Sequence, residues 1–540
     1  MGEEHGSFGR FSVSDTGQAP VRIPSSAEMT ALDNDTITKG TSARELMERA
    51  GKAVAERISA TYPAAKNIVI LCGPGNNGGD GLVIFKCLRN RGLNVSLVVT
   101  AANRYSAEWL EQVKGVGRIR LFGGGAVSFA SNGAEVAPIT PPEVKDLLNE
   151  ADLVVDALLG TGQREAPRGA IAELVELLLC VRAGKNTPVV VSVDLPTGID
   201  ADTGGAFEPH VVADLTIAIQ LIKRGCLHFP ARSACGEIST VDIGIAGEGQ
   251  VAYSVVTRPN IPRLTSRAAD THKGALGRVL VIGGSLAMSG APMLAALGAL
   301  RTGAGIVSRV VRSGWSTIPP LPEAMFEVLG GSASCYQLSD LDDLNEIIKR
   351  YNVCVIGPGM GTDPGTLDLF LGVLEGLRAR NARLVIDADA LNLLAASGAS
   401  LAGLAAVITP HPGEAARLLG VSPARIQNDR FGAARDLARK VGAITVLKGA
   451  GSLIHDGLSG SLVAEGTPYL ATPGSGDVLS GIIAGCAARC ASLWEAAVLG
   501  VWLHAKAGSE AARRRGGPIL ASEIAEHLGA FVGGVEGLAG

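Results

Sequence analysis

The sequence predicts an α/β protein built from two unlike halves, on three observations. Apolar, strand-like runs alternate with helix-like runs along the whole chain, as parallel strands covered on both faces read. Polar, glycine-rich loops recur directly after those runs, where open parallel sheets bind their ligands. The motifs of the first half do not return in the second. At 540 residues the chain also exceeds one ordinary core.

Residues 1–24 lack an apolar signal core, carry acidic residues and read as a flexible extension. A first domain is expected over 25–248. Its leading helix, SARELMERAGKAVAERI, places Leu46, Ala50, Val54 and Ile58 on one stripe. Strands follow at NIVILCG, LNVSLVVT, ADLVVDALLG, PVVVSVD and ADLTIAI. A seam falls near 245–270, where TRPNIPRLTSRAADTHKG is polar and proline-containing, and 249–261 reads as a linker. A second domain, 262–540, opens a new series at GRVLVIGGS, GIVSRVV, VCVIGPGMG, RLVIDADALN, AAVITPHPGE and AITVLKGAG. The longest apolar stretch, VLSGIIAGCAARCASLWEAAVLGVWL, contains Arg489 and Glu495, so no membrane span is expected. A net charge of −4 with no basic stripe argues against a nucleic-acid partner. Nine scattered cysteines argue against a disulfide framework and for a reducing, cytoplasmic setting. Cys486 and Cys490, one helical turn apart with no second ligand pair nearby, read as packing rather than zinc ligands.

The loop CGPGNNGGDG poses the first functional question. Gly73, Gly75 and Gly78 have the G-x-G-x-x-G spacing of a nicotinamide dinucleotide site. The second strand, however, ends VSLVVTAAN, with no acidic residue to hold ribose hydroxyls, so a conventional dehydrogenase is not expected. No Gly-Lys-Ser/Thr P-loop is present either. Asp156 and Asp194 each end an apolar run, and with Asn76, Asn77 and Asp80 they put polar side chains after three strands.

Three of these loops, GPGNNGGDG, VVDALLGTG and VDLPTGIDADTG, together resemble the YjeF N-terminal domain, the NAD(P)H-hydrate epimerase family, over roughly 28–245. The resemblance implies a Rossmann-like three-layer sandwich that interconverts the R and S forms of hydrated NADH and NADPH. It implies hydrate contacts at Asn76, Asn77, Gly78, Gly79 and Asp80, at Gly160, Thr161, Gly162, Gln163, Arg164, Glu165 and Ala166, and at Asp194. It implies a potassium ion on Asn77, Asp156 and Thr197, oxygen donors that suit a hard cation. Asp194 is the choice for proton transfer at the hydrated carbon.

In the second half, ATPGSGDVLSGIIAG is the most informative stretch. Gly474 and Gly476 permit a tight loop, and a helix beginning near Asp477 would direct free N–H groups at an anion. A carboxylate there can take a proton from an attacking hydroxyl while the N–H groups hold the phosphoryl group. The loop resembles the anion hole of ribokinase-like enzymes. With DTHKGALGRVLVIGGS, VIGPGMG, IDADALN, TPHPGEAARLLG and VLKGAGS it resembles the NAD(P)H-hydrate dehydratase family over roughly 262–535. The resemblance implies a ribokinase-like α/β domain that phosphorylates the hydrate's hydroxyl, after which phosphate leaves. It implies nucleotide contacts at Lys448, Gly449, Ala450, Gly451, Ser452 and Gly476, and hydrate contacts at Ala291, Gly361, His411 and Asp477, with Asp477 as base. Fusion of the two domains points to ADP, with Mg2+ bridging its phosphates, and both families form homo-oligomers. The main alternative is a ribokinase-like small-molecule kinase carrying a dinucleotide-binding module.

Overall fold

The computed structural model describes residues 11–12, 21–100, 105, 107–112, 116, 118–123, 135–247, 251–312, 321–331, 333–380 and 382–536. The described chain divides into two compact units that part in sequence between Tyr253 and Ser254. Most of the extension expected over 1–24 lies outside the described residues.

The first unit is a helix–sheet–helix sandwich. Its strands lie parallel, with Leu215–Ile219, Val189–Val193, Leu153–Ala157, Asn67–Cys72 and Asn94–Thr100 side by side in the middle. Side chains alternate along the central strand. Ile68, Ile70 and Cys72 pack with Val54, Ile58, Leu82 and Phe85 on one face. Val69 and Leu71 pack with Val144, Leu148, Leu174 and Leu178 on the other. The helix Ala43–Thr61 is capped by Ser42, whose side chain accepts from the Glu45 N–H, and its expected stripe is buried.

The second unit centres on seven parallel strands, in the order Met325–Leu329, Ile306–Arg312, Arg278–Ile282, Val353–Ile356, Arg383–Ile386, Ala405–Ile408 and Ile444–Leu447. Two antiparallel strands, Ser452–His455 and Gly460–Val463, extend it. The helices Gly290–Arg301, Ser475–Ala487 and Leu493–Arg515 bury Ala295, Ala299, Ile482, Ile483 and Leu503 in one core with Val279, Val281 and Val355. The α/β class and its parallel sheets are as expected.

Sequence reading missed the strands Arg118–Phe122, Glu135–Ile139 and Glu237–Val241 in the first unit, and Met325–Leu329, Ser452–His455 and Gly460–Val463 in the second. Those toward an edge are polar or proline-bearing, because such strands need no continuous apolar run, while Ser452–His455 and Gly460–Val463 are four residues each, too short to show a pattern. The stretch 249–261 also differs from a simple linker. It holds the strand Tyr253–Val255, and Val256 enters the second unit's core while its N–H donates to the Leu462 carbonyl at 2.8 Å.

Candidate active sites

In the first unit, the chain leaves four neighbouring strands at their carboxyl ends and encloses a cavity of about 870 Å3. Asn76, Asn77, Asp80, all of Gly160–Ala166, and Asp194 line it. Close backbone packing explains two of the fingerprint glycines. A Cβ on Gly73 would stand 1.8 Å from the Leu158 carbonyl oxygen, and one on Gly78 1.9 Å from that of Gly73. Gly75 precedes the helix Asn76–Asn90 without a side-chain cap, so the first N–H groups of that helix face the cavity uncapped.

Asp194 follows its strand in the left-handed region, at φ 68°. The conformation is held from both ends. Its N–H donates to the Ile217 carbonyl at 2.8 Å, and its Oδ1 accepts from the Ile219 N–H at 3.0 Å. The same Oδ1 takes the ammonium of Lys223, which also donates to the Ile219 carbonyl at 2.9 Å. Lys223 is 1% exposed, so a desolvated ion pair forms part of the cavity wall. Asp80 lies beside it. Burial first, then the Asp194 charge, holds its pKa well above the usual carboxylate value.

Asp156 is fully buried and saturated with donors. Its Oδ1 accepts from Thr197 Oγ1 at 2.7 Å and from the Leu158 N–H at 3.2 Å. Its Oδ2 accepts from Ser192 Oγ and from the Thr197 N–H, each at 2.9 Å. Thr197 Oγ1 accepts in turn from the Leu159 N–H, and Asn77 Nδ2 donates to the Leu159 carbonyl at 2.8 Å. Asn77 Oδ1 is buried and has no hydrogen-bond partner among the described residues. A buried amide oxygen left bare is costly, and a hard cation would satisfy it. Asn77, Asp156 and Thr197 thus belong to one linked cluster whose donors fit potassium. At the rim, Glu165 turns its carboxylate to Arg168 at 2.7 Å, and Arg164 pairs with Asp202 at 2.9 Å.

In the second unit, the helix carrying Asp477 begins at Ser475, two residues earlier than expected. Gly474 is its N-cap at φ 84°, a left-handed position that favours glycine. Among the described residues the Gly476 and Asp477 N–H groups have no backbone acceptor, whereas the Val478 N–H already bonds to the Gly474 carbonyl. The Lys448 ammonium lies 3.3 Å from where a Cβ on Gly476 would stand. It is held by Asp387 at 2.9 Å, with Glu414 at 3.8 Å. Burial disfavours the Lys448 charge, yet Asp387 and Glu414 outweigh it and raise the pKa. Burial, then the charge of Asp387, pushes Asp477 up to about 7.

The expected nucleotide loop, Lys448–Ser452, rests on Arg430. This buried guanidinium donates to the carbonyls of Leu447, Lys448 and Gly451 at 3.2–3.3 Å, and burial lowers its pKa to about 10. Gly361 donates its N–H to Asp389 at 3.0 Å, and Ala291 sits against Gly359 in the neighbouring loop. His411 was expected to face the site. Its Nδ1 caps the helix Pro412–Leu419, accepting from the Gly413 N–H at 2.9 Å, and its Nε2 lies 3.4 Å from Glu414 Oε1. Burial, then Lys448, lowers its pKa. Among the described residues no three of His, Cys, Asp and Glu are grouped to hold a metal ion. Carboxylates near Lys448 would meet Mg2+ only together with phosphate oxygens, as that ion prefers.

Sequence reading missed Lys223, Asp33, Asp387, Arg430 and His504. Asp387 stood inside the quoted IDADALN motif without being singled out, while the other four lie outside every quoted loop. Neither Lys223, directly before Arg224, nor Arg430, in the charged run PARIQNDRFGAARDLARK, carries a local signal that sets it apart.

Comparison with known proteins follows the same division. The family described as YjeF-related protein N-terminus matches residues 43–225, and that described as NAD(P)H-hydrate dehydratase matches residues 279–529. A bifunctional NAD(P)H-hydrate repair enzyme of Coxiella burnetii is 38% identical over 513 residues, covering 93% of this chain and 97% of the relative. That of Moorella thermoacetica is 39% identical over 500 residues, covering 87% and 88%. That of Thermanaerovibrio acidaminovorans is 38% identical over 518 residues, covering 93% and 97%.

Proposed function

This chain belongs to the bifunctional NAD(P)H-hydrate repair enzymes, and from that premise we propose that its first unit epimerises hydrated NADH and NADPH and its second dehydrates the S form at the expense of ADP. One observation carries the pairing. Each unit sets a carboxylate under the charge of a lysine ammonium at the carboxyl ends of its own sheet: Asp194, buried and paired with Lys223, and Asp477, half-buried, where burial raises the pKa and Lys448 pulls it down.

In the first unit the uncapped helix start at Asn76 receives the hydrate's phosphates, and Asp194 moves the proton at the hydrated carbon. Asn77, Asp156 and Thr197 would hold potassium, which would neutralise buried oxygens and fix the loops carrying Leu159 and Thr197. In the second unit the loop Lys448–Ser452 seats the nucleotide. Asp477 takes the proton of the hydrate's hydroxyl as that oxygen attacks the terminal phosphoryl of ADP. Lys448 and the N–H groups of Gly476 and Asp477 stabilise the charge that develops on the phosphoryl oxygens. AMP leaves first. Phosphate then departs with the former hydroxyl oxygen, and loss of a ring proton restores NAD(P)H. Ala291, Gly361 and His411 line the hydrate side. Mg2+, held together with the nucleotide beside the carboxylates near Lys448, would offset the charge of the ADP phosphates. All nine cysteines are free, and no helix among the described residues is long and apolar enough to cross a membrane. Both fit the cytoplasmic setting we infer.

The test is to incubate the protein with mixed R and S hydrates and ADP, following NADH absorbance. Wild type is expected to recover both forms promptly. Asp194→Ala is expected to recover the S fraction at the wild-type rate and the R fraction only at the spontaneous rate. A stable phosphoester product in place of NADH would mean a kinase instead.

A further inference from the structure

Asp80 is the fifth residue of the helix Asn76–Asn90. It is only 8% exposed, lines the cavity, and accepts no hydrogen bond from any described residue. That is unusual for a buried carboxylate. Asp156, on the neighbouring strand, receives four donors. The nearest cation gives Asp80 no direct contact, because the Lys223 ammonium is committed to Asp194 and the Ile219 carbonyl. The other groups around Asp80 are Asp194, which opposes its ionisation, Asp33 on the helix Ser26–Thr38, and the buried Cys72 thiol behind it. None of them gives Asp80 a hydrogen bond among the described residues, and none is a cation that would stabilise a second carboxylate charge there. Asp194, by contrast, has Oδ1 occupied, while Oδ2 takes no bond from a described residue.

We propose that Asp80 is the general acid of the epimerase cavity and Asp194 its base. The inference rests on the epimerase reading above and deepens it. Inversion at a carbon bonded to both a hydroxyl and a ring nitrogen can proceed by breaking the C–O bond and remaking it on the opposite face. Asp80 gives its proton to the departing hydroxyl, which leaves as water, and the ring nitrogen's lone pair takes up the positive charge. Asp194 then removes a proton from water as its oxygen bonds to the other face of that carbon. The proton gained by Asp194 returns to Asp80 through cavity water, so atoms and charge balance over the cycle. The other hydrate reacts by the same path reversed, from the state in which Asp194 holds the proton and Asp80 is ionised.

The test measures R-to-S exchange across pH. Wild type is expected to lose kcat on an alkaline limb as Asp80 ionises. Asp80→Asn is expected to lower kcat by on the order of 10²–10⁴-fold, leave KM within a few-fold, and remove that limb from the residual rate. Asp80→Glu, which keeps a proton, is expected to restore part of the rate and displace the limb. ADP-dependent recovery of pure S hydrate should be unchanged in both. An Asn variant that loses affinity but keeps kcat, or keeps the alkaline limb, overturns the proposal and leaves Asp80 a binding contact. Should the Asn variant not fold, a Glu variant with an undisplaced limb overturns it. Wild type that does not accelerate exchange would overturn the epimerase reading itself.

Discussion

At the scale of single residues, Asp477 makes the most quantitative commitment. Burial and the neighbouring Asp387 place its pKa at about 7, so a large fraction is protonated at neutral pH. A base works only when ionised. Dehydration should therefore rise with pH through about 7 and fall below it, the limb reporting on the free enzyme when read in kcat/KM. Asp477→Asn should lower ADP-dependent recovery of S hydrate by on the order of 10²–10⁴-fold and flatten the limb, with R-to-S exchange unchanged. Near wild-type recovery would remove Asp477 from the base role. This residue was legible because a glycine loop before a helix has few chemical uses. The environment that sets its pKa was not, since Asp387 and Glu414 lie 90 and 63 positions away in the chain and meet it only through sheet topology. Lys223 was hidden for the same reason. Its neighbour Asp194 could be picked out by its place after a strand, but nothing local marks the lysine that holds it.

At the scale of elements, two helices fix the anion hole. His504, within the helix Leu493–Arg515, places Nε2 at 3.1 Å from both the carbonyl oxygen and Oγ of Ser475, the first residue of the helix that carries Asp477. The carbonyl contact requires Nε2 to carry hydrogen, and burial lowers the pKa to about 4, so the ring is neutral. It acts as a fixed donor that sets the direction of the following Gly476 and Asp477 N–H groups. The Ser475 carbonyl keeps its helical partner, so His504→Ala should remove only the second donor and cost about 0.5–1.5 kcal/mol. His504→Gln, with an amide N–H at similar reach, should recover most of that. Thermal unfolding and kcat for dehydration should track together across the pair, and an Ala variant as stable and active as wild type would rule the contact out. Elements were unevenly legible. The central strands of both sheets stand out because they are buried on both faces. The outer strands do not, since EVAPI and EISTV lack the apolar run that central burial imposes.

At the scale of the whole chain, the fusion poses the question of where one folding unit ends. Composition alone suggests a cut before Pro262, since Pro259 and Pro262 flank it and the run TRPNIPRLTSRAADTHKG around them is polar. The structure moves that cut upstream. Val255 and Val256 are buried, Val256 in the same core as Val279 and Ile482, and its N–H bonds to the Leu462 carbonyl. A fragment of 254–540 keeps these contacts, and a fragment of 262–540 forfeits them. Burial of a single valine is worth about 1.5–3 kcal/mol, so the shorter fragment should unfold several degrees lower, by the usual relation between stability and Tm. Both retain Lys448–Ser452, His411 and Asp477, so both should dehydrate S hydrate with ADP below their melting temperatures. Equal Tm values would show that the strand contributes nothing to the second unit. A folded 254–540 fragment without ADP-dependent activity would show that residues of the first unit complete the second site, and that the fusion is part of the catalyst rather than a tether between two.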